Sequence, residues 1–557
     1  MPVAGLLKPN TYRDSVALMV LSSALAEADG IRQASAMMAT PANLEILRAT
    51  GLFDLAFDAA GPNDLCIAVE ARDDAAAREA LAVAERLLTA ARGVSGAGPA
   101  GGNEAAWRPR TLRSAVRARS DANVALISVP GAYAALEARQ ALLAGLNVFL
   151  FSDNVPLADE IELKQLGSQK GLLVMGPDCG TALIGGAPLG FANAVRRGGI
   201  GVVGSSGTGL QEVTSLIHRL GEGVSHAIGT GSRDLYAEVG GLSFLAAVDA
   251  LAADPGTRVL VGIAKPGDPA VERTVLARLG ASGKPAVVYF LGGEALTPQP
   301  PLPTVGEGEK IGLLPSPSQG RGAGGEGLLE AADLEHAARC AVALARGEEV
   351  PPPRDATDLE SMACEIVAGL APGQVAVRGL FAGGTLAQEA ATAISRALGR
   401  RGGSLAGEKP GNAVGGGRPG EVLRLGPHSV LDLGDDAYTR GRPHPLIDPR
   451  LRNAELVAQA GTGQVALFLI DVILGTGSHP DPAGAFRPAL DAARTAAEAE
   501  GARLEVLASL CGTEDDAQGY ERQRAMLESQ GVRVATSSSA AASIAGQVAA
   551  LLAESGR

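Results

Sequence analysis

GGIGVVGSSGTGLQEV, Gly198 to Val213, passes from an apolar, β-branched run through a glycine-serine cluster into the start of an amphipathic helix. That order is the strand-turn-helix unit of a parallel sheet covered by helices. GLFAGGTLAQEA, Gly379 to Ala390, repeats it, setting Gly384, Thr385, Gln388 and Glu389 against Gly207, Thr208, Gln211 and Glu212. In both copies T-x-x-Q reads as a capping box, with Thr208 or Thr385 as the N-cap and the glutamine reaching back. Ser205, Ser206 and Gly207 in one copy, and Gly383 and Gly384 in the other, are small enough to let an anion approach backbone N–H groups at the positive end of a helix. One glycine cluster alone marks only a tight turn. Two in corresponding places predict a pair of seats for phosphate or carboxylate.

Loops at the carboxyl ends of the neighbouring strands carry the rest of the chemistry. GTGSRD, Gly229 to Asp234, and AKPGDP, Ala264 to Pro269, would aim Arg233 and Lys265 at the crevice, the alternative being two solvated surface cations. The matching loops of the second copy read GDDAYTRGRPHPLIDP and GTGSHPDP, with His444, Asp448, His479 and Asp481. Histidine titrates near neutrality, so His444 and His479 are candidates for proton transfer, and turn residues are the alternative. His218 and His336 read as structural, and no metal site is expected.

Outward from these units the chain divides into four. Residues 1–92 alternate short apolar runs with alanine-rich amphipathic stretches, a small α+β domain, and VSGAGPAGGNEAA after it is a linker. Residues 107–195 run strand, helix, strand, helix, strand, predicting a parallel sheet. Residues 196–346 and 360–557 are two further doubly wound units. The first of these is interrupted at 298–327 by a proline- and glycine-rich stretch expected to be a disordered surface insertion, and GRRGGSLAGEKPGNAVGGGRPGE in the second is expected to be mobile.

With 557 residues, 46% hydrophobic and 20% charged, the chain can fill several cores. A net charge of −13 argues against a nucleic-acid partner. Five cysteines without a CxxC pair fit a reducing, cytoplasmic setting, and neither an export signal nor a membrane span is read.

The run NVALISVPGAYAALEARQALLAGLNVFLFSDNVP, then MGPDCG, then GGIGVVGSSGTGLQEV resembles the α subunit of succinyl-CoA synthetase, and residues 360–557 resemble the carboxyl-terminal domain of its β subunit. Together, behind a small domain carrying NTYRDS (Asn10 to Ser15), they resemble the FdrA family. The fold this implies is α/β: a small α+β domain, a Rossmann-like, CoA-binding-type domain at 107–195, and two doubly wound, flavodoxin-like domains. The resemblance also implies other subunits as partners.

Two places depart from the synthetase pattern. Where that α subunit carries a phosphorylated histidine, this chain reads GGEALTPQPP, Gly292 to Pro301, and the glycine-rich turn that opens a CoA-binding domain has no counterpart. No ATP-grasp domain is read, so nucleotide chemistry would belong to another subunit. The expected ligand is therefore phosphate or an acyl or carbamoyl phosphate, held by Ser205, Ser206, Gly207, Thr208, Gly383, Gly384, Thr385 and Arg233, with Lys265, His444 and His479 as catalytic candidates. No cofactor is certain, and CoA enters only through the resemblance. The resemblance to FdrA implies a carbamoyltransferase subunit making oxamate and carbamoyl phosphate from oxalurate and phosphate. The alternatives are an NDP-forming acyl-CoA synthetase subunit and a non-catalytic scaffold binding a phosphometabolite.

Overall fold

A computed structural model describes residues 2–13, 15–26, 28–94, 109, 111–291, 327–355, 357–401, 418–439 and 442–555. The linker after residue 94, most of the 298–327 insertion and most of the long loop after Arg401 lie outside the described residues.

The N-terminal domain is an antiparallel sheet in the order Val3–Lys8, Leu65–Ala71, Ile31–Met38. Alternation along the central strand sorts its core. Leu65 and Ile67 face the helices Ser15–Ala26 and Asp74–Val94, while Cys66 and Ala68 pack against Leu47 and Phe57 on the other side. Next come three parallel strands, Val124–Ile127, Asn147–Leu150 and Val174–Met175, joined by the helices Gly131–Leu143 and Leu157–Lys170.

The third sheet has seven strands and is parallel except for the hairpin Thr181–Ile184 and Ala187–Gly190, which lies within the span read as the Rossmann-like unit but pairs with Val224–Gly229 of the next. The fourth has six strands and centres on Ala376–Phe381 and Val465–Ile473. Its antiparallel edge strand, Glu421–Leu425, was not expected from sequence. Strands such as Val259–Ala264 and Val465–Ile473 are buried at every position, which is why they read as continuous apolar runs.

Between these two sheets lie four helices: Gly207–Arg219, Leu334–Arg346, Gly384–Arg401 and Ser538–Glu554. They share one hydrophobic core with both sheets, from Ile200 and Leu210 through Leu334 to Leu386, Val377 and Ile544. The two doubly wound units therefore pack as one body.

The glutamates of the repeat complete this layer reciprocally. Glu212 Oε1 accepts the Ser538 amide at 2.8 Å, at the start of the other unit's last helix. Glu389 Oε1 accepts the Leu334 amide at 3.1 Å, at the start of the first unit's last helix. Each carboxyl group thus sits at a positive helix end. Glu389 also accepts from the Ser538 and Ser539 hydroxyls at 2.7 and 2.8 Å. Burial pushes its carboxyl up to about 8, and nearby Asp333 adds to the rise. Among the described residues no helix is long and apolar enough to cross a membrane, and all five cysteines are free.

Candidate active site

The Gly207 helix follows the strand Arg197–Gly204, the Gly384 helix follows Ala376–Phe381, and their first turns meet. The Ser206 and Thr385 hydroxyls hydrogen-bond to each other across the two units. A Cβ at Gly383 would lie 2.9 Å from Thr208 Oγ1, and one at Gly384 would run into the Asp432 carboxylate. Only glycine permits that approach.

The capping register differs from the expectation. Ser206 is the N-cap, with extended backbone and its Oγ accepting from Gly209 N at 2.9 Å, while Thr208 already lies inside the helix. Gln211 does not reach back; its Nε2 donates to Asn193 Oδ1 at 3.1 Å. Thr385 is likewise a helical residue and directs its hydroxyl to Ser206. In the first copy Ser206, two positions before Thr208, has the short side chain and extended backbone that capping requires, so Thr208 is left for other contacts.

Both helix starts open into a cavity of about 1030 Å³, bordered by Ser205, Gly207, Thr208, Gly384, Thr385 and Lys265. The first-turn amides of a helix have no intrahelical partner, so Gly207 and Thr208 bring unfilled donors here. The Lys265 amide donates to Ser205 Oγ at 3.2 Å. Its Nζ would lie 3.4 Å from a Cβ on Gly384, so a lysine of one unit reaches the helix start of the other.

Two carboxylates share the cavity and were missed in the sequence reading. Asp432 packs against Gly384, and its Oδ1 accepts from Gly434 N at 2.9 Å. Burial pushes it up to about 7, opposed by Lys265. Asp178 accepts from Ser232 Oγ at 2.7 Å. Its side chain opens to the cavity, but desolvation by the surrounding protein pushes it up to about 6. The strand end SVLD and the loop MGPDCG held the only sequence signals for them.

Other expected site residues act differently. Gly383 does not border the cavity: its amide donates to Asp471 Oδ2 at 2.7 Å, and the Ala382 amide donates to Asp471 Oδ1 at 2.8 Å. Asp471 is in turn paired with buried Arg452 at 3.1 Å. Arg233 is drawn away by Glu160 at 2.8 Å and by the Val155 carbonyl at 2.7 Å. Glu160 also pairs with Lys164, which pairs with Asp234, so this cluster clamps Leu157–Lys170 to the loop.

His479 is outside the cavity wall; its Nδ1 accepts from Asp481 N at 3.0 Å, closing a turn. Asp448 pairs with Arg450, and Asp481 accepts from Gln523. His444 does border the cavity, but its Nδ1 accepts from Leu446 N at 3.2 Å and its ring packs on Phe191 with centroids 5.8 Å apart. Burial pushes it down to about 4. It is therefore a neutral ring with its proton on Nε2, a donor rather than the expected base. His218 and His336 accept backbone amides, as structural residues do.

The far wall of the cavity is the start of the helix Gly131–Leu143, where Pro130 is the N-cap and makes no side-chain capping bond. Residues of the N-terminal domain, among them Arg13, Met38 and Asn43, border it as well.

Comparison with known proteins gives the chain's relatives. The family described as CoA-ligase matches residues 380–548, the CoA binding domain family matches 196–292, and "AllF, heavy metal-associated domain" matches 1–105. The CoA-binding match thus falls on the seven-stranded sheet rather than on the span 107–195. The "Uncharacterized protein YahF" of Escherichia coli (strain K12) is 40% identical over 97% of both chains.

The chain belongs to the FdrA-like family, within the succinyl-CoA synthetase superfamily. The mitochondrial succinate–CoA ligase [ADP-forming] subunit alpha-2 of Trichomonas vaginalis is 30% identical to this FdrA-like chain, over 39% of it and 69% of the relative. The dinucleotide-forming acetyl-coenzyme A synthetase 1 of Ca. Korarchaeum cryptofilum, solved with phosphate and ADP, aligns over 82% of this chain and 88% of its own at 14% identity and a TM-score of 0.30.

The groups these families imply fit unequally. For CoA, the uncapped start of Gly131–Leu143 bordering the cavity suits its phosphate groups. For a heavy metal, residues 1–105 hold a single cysteine, Cys66, and no histidine. That thiol is fully buried and pushed up to about 12 by burial, with Asp64 adding to the rise, so it does not fit a thiolate-bound soft metal.

Proposed function

We propose that this chain is the acyl-phosphate-handling subunit of an enzyme of the NDP-forming acyl-CoA ligase type. The observation that supports it is the meeting of two helix starts at one cavity edge, fixed by the Ser206–Thr385 hydrogen bond and flanked by Lys265. First-turn amides and a lysine concentrate positive potential where a phosphate oxygen would develop charge. CoA, when bound, supplies the thiol that accepts the acyl group. The chain's own part is the open first turn at Gly131 and Ala132, which holds phosphate groups, and Asp432, which holds or releases a proton beside the seat. Nucleotide chemistry is assigned to a separate subunit.

Isothermal titration of the full chain with inorganic phosphate tests this reading. Binding that weakens about tenfold or more in Lys265→Met supports it, and a chain with no phosphate affinity refutes it.

A second reading is favoured by one observation, the absence of histidine from Gly292–Pro301, a stretch outside the described residues. Without a phosphohistidine, transfer would be direct, and a carbamoyl group would pass from oxalurate to phosphate, giving oxamate and carbamoyl phosphate. Co-purification with neighbouring subunits and an assay for phosphate-dependent oxalurate cleavage separates the two. CoA-dependent ADP phosphorylation in place of carbamoyl phosphate would exclude the second reading.

A further inference from the structure

One turn beyond the anion seat, the wall of the cavity holds a hydrogen-bond acceptor that nothing in the chain fills. Asp516 can only accept, and it does so from Ala194 N at 2.7 Å, Thr513 N at 2.8 Å and Asn193 Nδ2 at 2.9 Å. The Asn193 amide also donates to the Leu474 carbonyl at 2.9 Å, so its NH₂ is committed to two acceptors and its Oδ1 must face the other way. That Oδ1 accepts Gln211 Nε2 at 3.1 Å, with the Leu474 carbonyl a further acceptor at 3.5 Å. Flipping the Gln211 amide would set oxygen against two oxygens. Its orientation is therefore fixed by a relay crossing both units, and the assignment comes from the network. Gln211 Oε1 is left without a partner although the residue is 1% exposed and borders the cavity.

A second orphan stands beside it. Thr181, 2% exposed and in the same wall, has an unpartnered Oγ1 that lies 3.3 Å from a Cβ on Gly207. Gly207 and Gln211 are four residues apart and share a helix face. The Phe151, Phe191 and His444 rings line the cavity as a ledge, with centroids 5.6 and 5.8 Å apart. Buried polar groups are usually paired, and two orphans side by side in one cavity wall suit a ligand that completes them.

We propose that Gln211 is a specificity-determining residue whose Oε1 selects acyl groups bearing a neutral N–H or O–H donor, a planar primary amide above all, with Thr181 as the second contact. A carboxylate or a methyl group at that place leaves the acceptor unfilled or repelled. The inference rests on the anion seat proposed above.

Carbamoyl phosphate and acetyl phosphate differ only by NH₂ against CH₃, so competition of each with inorganic phosphate on the full chain is the test. Carbamoyl phosphate binds about tenfold more tightly than acetyl phosphate, and Gln211→Met brings the ratio close to one. Thr181→Val, nearly isosteric, lowers the same ratio and serves if Gln211→Met does not fold. Equal binding of the two acyl phosphates by the native chain overturns the inference and leaves the seat standing. Failure of phosphate and both acyl phosphates to bind overturns the seat and the inference together.

Discussion

The two copies of the strand-turn-helix unit look alike in sequence and differ in charge. The first turn of the Gly207 helix is capped by a neutral serine hydroxyl and opens into the cavity that Lys265 also borders. At the Gly384 helix, the amides before the first turn, those of Ala382 and Gly383, already hold the Asp471 carboxylate. One copy is open to an anion from outside, whereas the other carries an anion of its own. The charge of a bound phosphate therefore falls mainly on the first copy and Lys265, and the second copy supplies shape.

Removing the internal anion is expected to have the largest effect. Asp471→Ala leaves Arg452 buried without its partner and is expected to destabilise the fold by about 3–5 kcal/mol in denaturant titration. An effect below about 1 kcal/mol would mean that the second copy does not depend on its built-in charge.

Next, Lys265→Met is expected to weaken phosphate binding about tenfold or more with little change in stability. Thr208→Val and Thr385→Val sharpen the contrast. The first is expected to act on anion affinity; the second, through the Ser206 tie, is expected to act on stability, by about 1 kcal/mol.

Proton linkage gives two smaller effects. Asp432 is neutral below about 7 and charged above it, so affinity for sulfate, whose charge stays constant, is expected to fall as pH rises through about 7. Asp432→Asn should flatten that profile. Glu389 keeps its proton to about 8 in the folded chain, whereas a free glutamate loses it near 4.5. The folded state then binds more protons between these values, so this group's stabilisation is complete below about 4.5 and is lost as pH rises through about 8. Glu389→Gln should reduce the fall in melting temperature over that interval.

What the sequence revealed was what depends on neighbours along the chain. Apolar runs such as Val259–Ala264 gave the parallel strands, and the echo of GTGLQE in GTLAQE gave the paired helix starts. What it hid depends on residues far away. Arg233 looked like a cation for the crevice because Glu160, from another unit, was not visible as its partner. Gln211 read as a capping residue, yet its amide is set by Asp516 in the last domain. His479 and His444 were drawn in by residue type, and their roles were decided by the backbone amides they accept.

The reciprocal glutamates also bear on the order of synthesis. The helix Leu334–Arg346 leaves the ribosome before Glu389, the residue that completes its first turn, has been added to the chain. Glu212, made earlier, waits in turn for Ser538, 326 residues further on. Neither doubly wound unit reaches its final hydrogen bonding until Ser538 has been made, so a chain cut before that residue carries an unfinished helix end and an exposed apolar layer.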